Sequence, residues 1–342
     1  MKKTLLICLV IILSFAFLGC GKTEEYNIHT DLQQSYLDGS YTQITAFCNG
    51  TSELSYPNPI RLEASTPLAK NIGYSYEIKE KNGSFYYRIS GGPSVDVYNL
   101  FTGTEYEWYI DNELQGTFKV KEGLRNLYID GLTNCRDIGG YNIEDGKVKQ
   151  GMIIRTSKLT DDNTGEILIS SKGIMTIKEL GIKTELDLRS IIPDSDGNIE
   201  QGGITKSVVE GVNYISLPMK SGGNYLQLNR EVLKDLFEIL GNEDNYPILM
   251  HCSIGTDRTG LVSFLVNGLL GVEKEDLYYD YLFSNFGNIG GLRTASTIND
   301  YFKKVTSSSR LSLSENIRNY LLNEGVNSSD IDNVIRIMKE SK

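Results

Sequence analysis

The stretch "YPILMHCSIGTDRTGLVSFLVNGLLG", Tyr246 to Gly271, decides the fold of the second half of this 342-residue chain. It opens with a run of apolar residues that ends at His251, which is typical of a fully buried β-strand. A glycine-containing turn follows, and from about Arg258 onward the apolar residues favour a helix that Gly271 can terminate. A strand, a tight loop and a helix in direct succession indicate an α/β unit on a parallel sheet.

The sequence around this stretch continues the alternation of strands and helices. "KTELDLR" and "VNYISLPM" are typical of strands. "GIMTIKELG", "NREVLKDLFEILGNE", "KEDLYYDYLFSNF" and "SENIRNYLLNEG" are typical of helices. We therefore predict that residues 123–342 form an α/β domain with a largely parallel central sheet flanked by helices.

The preceding segment, residues 37–122, has a different character. Short alternating runs predict strands at "YTQITAF", "RLEAST", "SYEIKE", "SFYYRIS", "VDVYNL", "YEWYI" and "GTFKV". "KNG" and "DNE" indicate hairpin turns, and this many short strands predict a small all-β sandwich. "VYNLFTGTEYEWYI" resembles the tyrosine corner of fibronectin type III domains. The resemblance implies that Tyr106 anchors the corner and that Trp108, the only tryptophan, lies in the core.

The start of the chain is typical of an export signal. Two lysines precede an apolar run, Thr4 to Leu18, which is shorter than a membrane-spanning helix requires. We predict a signal peptide over residues 1–19 and a polar tether over 20–36. "FLGC" resembles the lipobox of bacterial lipoproteins, which implies that Cys20 carries a lipid. An ordinary signal peptide and an uncleaved anchor are the alternatives. All three place the rest of the chain outside the cytoplasm, anchored to the cell membrane or secreted.

The composition excludes several classes of protein. The formal net charge is −10, and nothing resembles the basic stripe of a nucleic-acid-binding protein. The only two histidines, His29 and His251, are too few for a histidine-rich metal site, and no serine elbow accompanies them. No nucleotide-binding glycine motif occurs, and the five cysteines lack the spacing of a disulfide framework. We expect no nucleic-acid partner and a mechanism without metal or cofactor.

The turn between the predicted strand and helix carries residues for anion chemistry. Its backbone N–H groups and the positive end of the helix dipole can bind a phosphate group. The residues that would hold the phosphate are Ser253, Ile254, Gly255, Thr256, Asp257 and Arg258. Arg258 can bind two phosphate oxygens at once. The backbone N–H groups and the helix dipole should also lower the pKa of the Cys252 thiol, so that its thiolate can attack phosphorus. Thr259 can hydrogen-bond the sulfur, and His251 should orient the loop through its ring nitrogens.

The loop "HCSIGTDRTG" resembles the His-Cys-x5-Arg signature of cysteine-dependent phosphatases. Four motifs extend this resemblance: "NCRDIGGY" at 134–141, "GMIIRTS" at 151–157, "LDLRS" at 186–190 and "DYLFSN" at 280–285. They are similar to those of the bacterial tyrosine-phosphatase-like family that includes secreted and lipoprotein phosphatases. The resemblance covers about Leu124 to Met338 and implies a phosphocysteine intermediate on Cys252. Many relatives carry lysine where this chain has Thr256, so a cation at the pocket mouth is missing.

The resemblance implies a protein phosphatase, of tyrosine or dual specificity, that acts on a phosphorylated protein. One alternative is a phospholipid or inositol phosphate phosphatase with the same mechanism. Two others are a phosphate-binding module without catalysis and a sulfurtransferase of the rhodanese kind. Pocket depth separates the substrates, and it depends on loops whose position the sequence does not give.

Two aspartates compete for the role of general acid. Asp257 lies inside the loop, and Asp187 lies at the end of a neighbouring strand, where sites of α/β proteins gather. We favour Asp257, because its place in the chain puts it next to the substrate. Both can instead be structural, Asp257 as a helix cap and Asp187 as a partner of Arg189.

Three arginines in the family motifs, Arg136, Arg155 and Arg189, have two interpretations. They can line the entrance of the pocket and offset the acidic surface of the protein. They can instead pair with neighbouring carboxylates and hold loops in place, with Arg136 bound to Asp137 and Arg189 to Asp187. The sequence does not decide between these roles.

Overall fold

The computed structural model describes residues 23–64, 73–190 and 203–341. The predicted signal peptide, and Cys20 with it, lies outside these residues. Within the described part of the chain, no helix is both long and apolar enough to cross a membrane.

Among the described residues, the first part of the chain forms seven strands in two sheets. They are β1 (Glu24–Tyr26), β2 (Ile60–Glu63), β3 (Tyr74–Glu80), β4 (Tyr86–Gly91), β5 (Ser94–Val97), β6 (Glu105–Ile110) and β7 (Glu113–Val120). One sheet has the order β1-β7-β6-β3-β4, and β2 pairs with β5 in the other. Side chains of both sheets, among them Leu62, Tyr76 and Val97, share one hydrophobic core. The alternation of apolar and polar residues places one face of the strands in this core.

Two aromatic residues of β6 differ in burial. Tyr106 is buried, and its hydroxyl accepts a hydrogen bond from the Phe101 N–H (2.9 Å). Trp108, which we expected in the core, packs only at its edge, stacked on Tyr76 with ring centroids 6.3 Å apart. Its partner in β7, Gly116, lies close against the indole, since a Cβ atom there would be 3.2 Å from Trp108 Nε1.

Residues 27–56 form an N-terminal arm of short helices. α1 (Asp31–Leu37) begins at a capping box, in which the side chains of Thr30 and Gln33 each bond the other's backbone N–H. Tyr41–Ala46 forms a 3-10 helix, so the strand predicted over "YTQITAF" is wrong. A serine cap directly before this stretch starts the helical turn instead.

The N-terminal arm packs on the second part of the chain. Tyr36 and Ile44 lie in the hydrophobic core of the α/β domain, and the Tyr36 ring meets Phe286 edge to face, with centroids 5.7 Å apart. These contacts differ from the organisation we expected, a tether over 20–36 and a sandwich over 37–122. The arm is instead a packed part of the α/β domain.

Among the described residues, the second part of the chain contains two β-sheets, of which the larger is the central sheet. The strands of the two sheets are β8 (Arg136–Asp137), β9 (Asn142–Ile143), β10 (Gly146–Val148), β11 (Ile153–Thr156), β12 (Thr184–Asp187), β13 (Asn213–Ser216), β14 (Ile248–His251) and β15 (Lys339–Ser341). The central order is β13-β12-β14-β11-β8, and β9, β10 and β15 form a small antiparallel sheet. The central sheet is mixed: four strands are parallel, and the short edge strand β8 is antiparallel to β11.

Helices pack around this sheet. They are α2 (Ser171–Glu179), α3 (Tyr225–Leu228), α4 (Leu233–Leu240), α5 (Asp257–Leu270), α6 (Lys274–Phe283), α7 (Ala295–Val305), α8 (Leu313–Asn323) and α9 (Ser328–Met338). Short 3-10 turns occur at Arg230–Val232, Glu243–Asn245 and Ser284–Phe286. α5 is buried along its whole length and ends, as predicted, at Gly271, whose φ is 89°.

The carboxyl ends of three buried strands lie side by side. Strand pairing puts Thr156 at the end of β11 and Asp187 at the end of β12 on either side of His251, the last residue of β14. The loop between β14 and α5 therefore starts at the sheet edge where α/β proteins carry their sites.

Candidate active site

The loop after β14 makes a tight turn against β11. Gly255 has a φ of 69°, and a Cβ atom there would lie 2.4 Å from the carbonyl oxygen of Thr156, so only glycine fits. α5 then begins at Asp257, with its first backbone N–H groups directed at the loop. The positive end of its dipole lies at the same point, which makes the loop suitable for an anion.

Two buried side chains hold this loop from beneath. Asn134 Nδ2 donates to the carbonyl oxygens of Ile254 (3.3 Å) and Gly255 (3.0 Å). It also donates to Thr256 Oγ1 (3.2 Å), so Thr256 points into the protein and not at a pocket mouth. Arg155 Nη2 donates to the carbonyl oxygens of Gly255 (2.8 Å) and Thr256 (3.2 Å). With these carbonyls turned inward, the N–H groups of the loop can face a ligand on the other side.

Cys252 lies at the base of the loop and is almost fully buried. Burial by itself would raise the pKa of its thiol, but the charge of Arg258 and the hydroxyl and N–H of Thr259 together lower it. The Thr259 hydroxyl has no hydrogen-bond partner of good geometry among the described residues, which leaves it available to the sulfur. The site therefore favours a thiolate.

Arg258 lies across the loop from Cys252. Its Nη2 donates to Ser253 Oγ (3.2 Å), and its Nη1 lies 3.4 Å from the Met219 carbonyl oxygen. These contacts hold the guanidinium plane over the residues that the sequence predicts to bind phosphate. A guanidinium in this place can bind two oxygens of one anion.

The arginines of the family motifs are buried and do not line an entrance. Arg136 and Arg155 share the carboxylate of Asp280, with Arg136 Nε donating to Asp280 Oδ1 (2.9 Å) and Arg155 Nη1 to Oδ2. The pairing of Arg136 with Asp137, which one of the two interpretations gave, is wrong. Asp137 instead binds Arg125 Nη1 (2.7 Å). Neighbouring residues of a strand point to opposite faces, so the side chains of Arg136 and Asp137 diverge.

The third arginine, Arg189, pairs with Asp187 as expected. Its Nε and Nη2 both donate to the Asp187 carboxylate (3.0 and 2.7 Å), which also accepts from the Tyr214 hydroxyl (2.9 Å). Burial would raise the pKa of Asp187, but His251 and Arg189 hold it at about 2. Asp187 is fully buried and remains ionised in this network.

His251 lies behind the loop and orients it. Its Nε2 is 3.0 Å from Glu185 Oε1, and its Nδ1 is 3.4 Å from the Cys252 carbonyl oxygen and 3.7 Å from Asp187 Oδ1. Burial lowers the pKa of His251, but the two carboxylates raise it to a net value above 6.5. Glu185, Asp187 and His251 have the spacing of a metal-binding group, but His251 Nε2 already faces Glu185 Oε1, and the Asp187 carboxylate accepts from Arg189 and Tyr214.

Asp257 is a buried residue of the first turn of α5 and is held by two side chains. Its Oδ1 accepts from the Tyr281 hydroxyl (3.0 Å). Arg293 Nε donates to the same oxygen (3.1 Å) and Arg293 Nη2 to Oδ2 (3.1 Å). Of the two candidate acids, Asp257 is the one at the first turn of α5, beside Arg258.

Sequence reasoning missed several of these residues. Asn134 and Asp280 stand in motifs that carried the family resemblance, so the signal was present, but their roles depend on distant partners. Arg293 and Ser55 have no such signal. Ser55 Oγ accepts from the Asn134 N–H (3.1 Å), which links the N-terminal arm to the loop.

The fold thus brings Cys252 and Arg258 together on one loop between β14 and α5 of the α/β domain. A family model described as "Tyrosine phosphatase family" matches residues 127–332, more than half of the chain. The protein therefore belongs to the tyrosine phosphatase family.

Three curated relatives share this part of the chain. A protein of Cupriavidus necator, named as a tyrosine-protein phosphatase, is 26% identical over 51% of this chain and 68% of its own length. The tyrosine-protein phosphatase of Nostoc commune is 26% identical over 31% of this chain and 41% of its own length. A yeast protein of Scheffersomyces stipitis, named as a tyrosine-protein phosphatase, is 31% identical over 31% of this chain and 54% of its own length. The matched part thus spans less than two thirds of the second and third relatives.

Solved structures resemble the chain only weakly. The crystal structure of P. aeruginosa TpbA is 15% identical, with a TM-score of 0.32 over 51% of this chain and 86% of that one. The core catalytic domain of the PP-IP phosphatase SIW14 from S. cerevisiae is 16% identical, with a TM-score of 0.31 over 53% of this chain and 93% of that one. The family assignment rests on the sequence match and not on these scores.

Proposed function

We propose that this protein hydrolyses phosphomonoesters through a phosphocysteine intermediate on Cys252. The observation that carries the proposal is a thiol of lowered pKa at the base of an anion-binding loop, with Arg258 across it. The thiolate attacks phosphorus, and the P–O bond to the leaving group breaks as that oxygen takes a proton. Water then attacks the phosphocysteine, releases inorganic phosphate and restores the thiolate.

The test of this mechanism is turnover of p-nitrophenyl phosphate. Cys252→Ser should abolish turnover and leave the far-ultraviolet circular dichroism unchanged, because a serine hydroxyl does not ionise in this loop near neutral pH. Orthovanadate should inhibit competitively, and EDTA should have no effect. Turnover by the serine variant would refute the covalent mechanism, and a wild-type protein that binds phosphate without turnover would be a silent binding module.

We assign the general acid to Asp257. The support for this choice is position: Asp257 lies in the first turn of α5, directly beside Arg258, whereas Asp187 is fully buried at the end of β12. The leaving group provides the test: nitrophenolate leaves without a proton, whereas the phenolate of phenyl phosphate needs one. Asp257→Asn should therefore lower kcat on phenyl phosphate far more than on p-nitrophenyl phosphate. Asp187→Asn should lower both alike, and the opposite pattern would assign the acid to Asp187.

We propose a phosphorylated protein as the substrate, with tyrosine or dual specificity. The names of the relatives support this choice, and Thr256 argues against a preference for highly phosphorylated inositols, since it brings no cation and points inward. Rates on phosphotyrosine, phosphoserine and phosphothreonine peptides should be compared with rates on phosphoinositides. Faster turnover of the phosphoinositides would make the lipid class the substrate.

We also propose that the protein is exported and anchored outside the cytoplasm through a lipid on Cys20, and that the strands of residues 57–122 form a fibronectin type III-like unit. The support for export is the sequence of residues 1–20, and the support for the β unit is the Tyr106 corner. Cys20→Ser in the native host should release the protein from the membrane fraction. Retention of that variant would show that another segment holds it.

A further inference from the structure

A segment of residues 219–229, which we call the side loop, lies against the loop between β14 and α5. The Met219 carbonyl oxygen is 3.4 Å from Arg258 Nη1. The helix within the side loop, α3, packs against α5, the helix that begins with Asp257 and Arg258. The side loop therefore borders the place where Arg258 would hold a phosphate group.

One buried side chain, that of Asn229, fixes the shape of the side loop. Its Oδ1 accepts from the Lys220 N–H (2.6 Å), and its Nδ2 donates to the carbonyl oxygens of Lys220 (3.0 Å) and Tyr225 (2.9 Å). These bonds close the loop and hold the backbone of Tyr225, the first residue of α3. A closed loop presents its side chains to a ligand with little further ordering, which favours binding.

The Tyr225 side chain lies close to the charged residues at the start of α5. Burial raises the pKa of its hydroxyl, the charge of Asp257 raises that pKa further, and the charge of Arg258 lowers it. Both charges are therefore near the hydroxyl. The ring packs against the edge of the core of the α/β domain and is only half-buried, so part of it is open to a ligand.

Two further tyrosines lie on the same side of the site. The Tyr281 hydroxyl donates to Asp257 Oδ1 (3.0 Å), and the Tyr301 ring meets the Tyr281 ring edge to face, with centroids 6.5 Å apart. Both of these rings are buried, whereas that of Tyr225 is not. Of these three tyrosines, Tyr225 is the one whose ring a substrate can touch.

We propose that Tyr225 is a specificity-determining residue, whose ring packs on the aromatic ring of a phosphotyrosine substrate and favours aryl over alkyl phosphates. The inference rests on the proposed function, in which Asp257 protonates the leaving oxygen and so must lie within reach of it. Phosphotyrosine carries its ring directly on that oxygen, whereas phosphoserine and phosphothreonine carry an alkyl carbon there. Aromatic rings attract one another when their centroids are about 4.5–7 Å apart.

The experiment measures the dissociation constants of two phosphonates by NMR titration, which needs no turnover. Benzylphosphonate has a CH2 group in place of the ester oxygen of phenyl phosphate. Ethylphosphonate keeps that CH2 group and has a methyl group in place of the ring. The wild type should bind benzylphosphonate more tightly. Tyr225→Ala should weaken benzylphosphonate binding by roughly 2- to 10-fold, the range of an aromatic pair, and ethylphosphonate binding by less than about twofold.

Two further variants separate the ring from the hydroxyl and from the fold. Tyr225→Phe should bind both phosphonates as the wild type does, because it keeps the ring. Tyr225→Leu should lie between the phenylalanine and alanine variants, since leucine keeps apolar area without an aromatic ring, and it provides the same test if the alanine variant unfolds.

Tyr320→Ala is the matched control. Tyr320 also packs, half-buried, against the edge of the same core, but it belongs to α8. Ser314 of α8 donates to the Leu269 carbonyl, near the end of α5 that is remote from Asp257. The control should leave the affinity for both phosphonates unchanged.

Equal weakening of both phosphonates by Tyr225→Ala would overturn the proposal, because it would mean that Tyr225 only supports the side loop. A Tyr225→Phe variant as weak as Tyr225→Ala, or a wild type without preference for benzylphosphonate, would also overturn it. If Tyr225→Ala loses the preference but the wild type does not turn over p-nitrophenyl phosphate, the proposed function fails and the ring contact stands. If the wild type has turnover and Tyr225→Ala keeps the preference, only the role of Tyr225 fails.

Discussion

Asp280→Asn is the change that should most weaken the support of the loop. The Asp280 carboxylate lies between two buried guanidinium groups, those of Arg136 and Arg155, and Arg155 in turn holds the carbonyl of Gly255. Burial would raise the pKa of Asp280, but the two arginines hold it below its usual value, so the buried group is charged at neutral pH. Asparagine keeps the volume but removes the charge and one acceptor oxygen.

The expected loss follows from this geometry. Removing one partner of a buried ion pair costs roughly 3–5 kcal/mol, because the other charge stays buried without compensation. Here two guanidinium groups would lose the charge and one acceptor oxygen of their shared carboxylate, while Arg136 would keep its bonds to the residue 280 carbonyl (2.6 Å) and to Ser284 Oγ (3.1 Å). We therefore expect the free energy of unfolding to fall by about 3 kcal/mol or more. We also expect kcat to fall about tenfold below the unfolding transition, because the loop carbonyls lose a fixed donor.

Guanidinium unfolding followed by helical circular dichroism is the suitable assay, since α2 to α9 all belong to the α/β domain. Tryptophan fluorescence is unsuitable, because Trp108, the only tryptophan, lies in β6. Asp300→Asn is the control: Asp300 pairs with Lys304 (2.8 Å) at the surface, and its loss should cost less than about 1 kcal/mol. An Asp280→Asn loss no larger than that of the control would refute the reasoning.

Three further outcomes follow from the site. The rate at which iodoacetate alkylates Cys252 should rise with pH, with a midpoint below the ordinary thiol pKa of about 8.5. Cys252→Ser should show no such reaction. A midpoint pH at or above about 8.5 would contradict a stabilised thiolate. The free energy of unfolding should fall as pH drops from about 4 to about 2, where Asp187 takes up its proton, and should fall again above pH 6.5, as His251 loses a proton that its folded state binds more tightly. Asp187→Asn should reduce the loss on the acid side without removing it, because the pKa of Asp280 is also lowered, and an unchanged loss in that variant would exclude the contribution of Asp187. Ser55→Ala should lower the free energy of unfolding by about 1–3 kcal/mol and should lower kcat, because it leaves the buried Asn134 N–H without its acceptor. An unchanged free energy of unfolding and an unchanged kcat would show that the N-terminal arm does not support the loop.

The chemistry of the loop could be predicted from the sequence because it is local. A buried strand, a glycine turn and a helix within 26 residues determine where the Cys252 sulfur, the backbone N–H groups and Arg258 lie. The pair of Asp187 and Arg189 was one of two interpretations of the sequence, and it is also local, since residues two apart in an extended segment share a face. Sequence spacing thus offers such contacts as candidates when the partners are near neighbours in the chain.

Contacts between distant elements could not be predicted in this way. Arg136 binds Asp280, 144 residues further along the chain, whereas the sequence offered only its neighbour Asp137 as a partner. Arg293 reaches Asp257 across 36 residues of helices and turns. Each of these pairs depends on the packing of α6 and the following turn on the loop, which no local pattern encodes.

The N-terminal arm shows how this limit affects the domain boundary. The change from strands to alternating strands and helices placed the start of the α/β domain near Gly123. Yet Tyr36 is buried in the core of that domain, and Gly50 and Ser55 contact the segments that carry Arg293 and Asn134. A chain that began at Gly123 would expose this apolar surface and leave buried N–H groups without partners, at a cost of roughly 1–3 kcal/mol for each. Residues 27–56 therefore belong to the part of the chain that supports the site, although strands of the two β-sheets, β1 and β2 to β7, lie on either side of them.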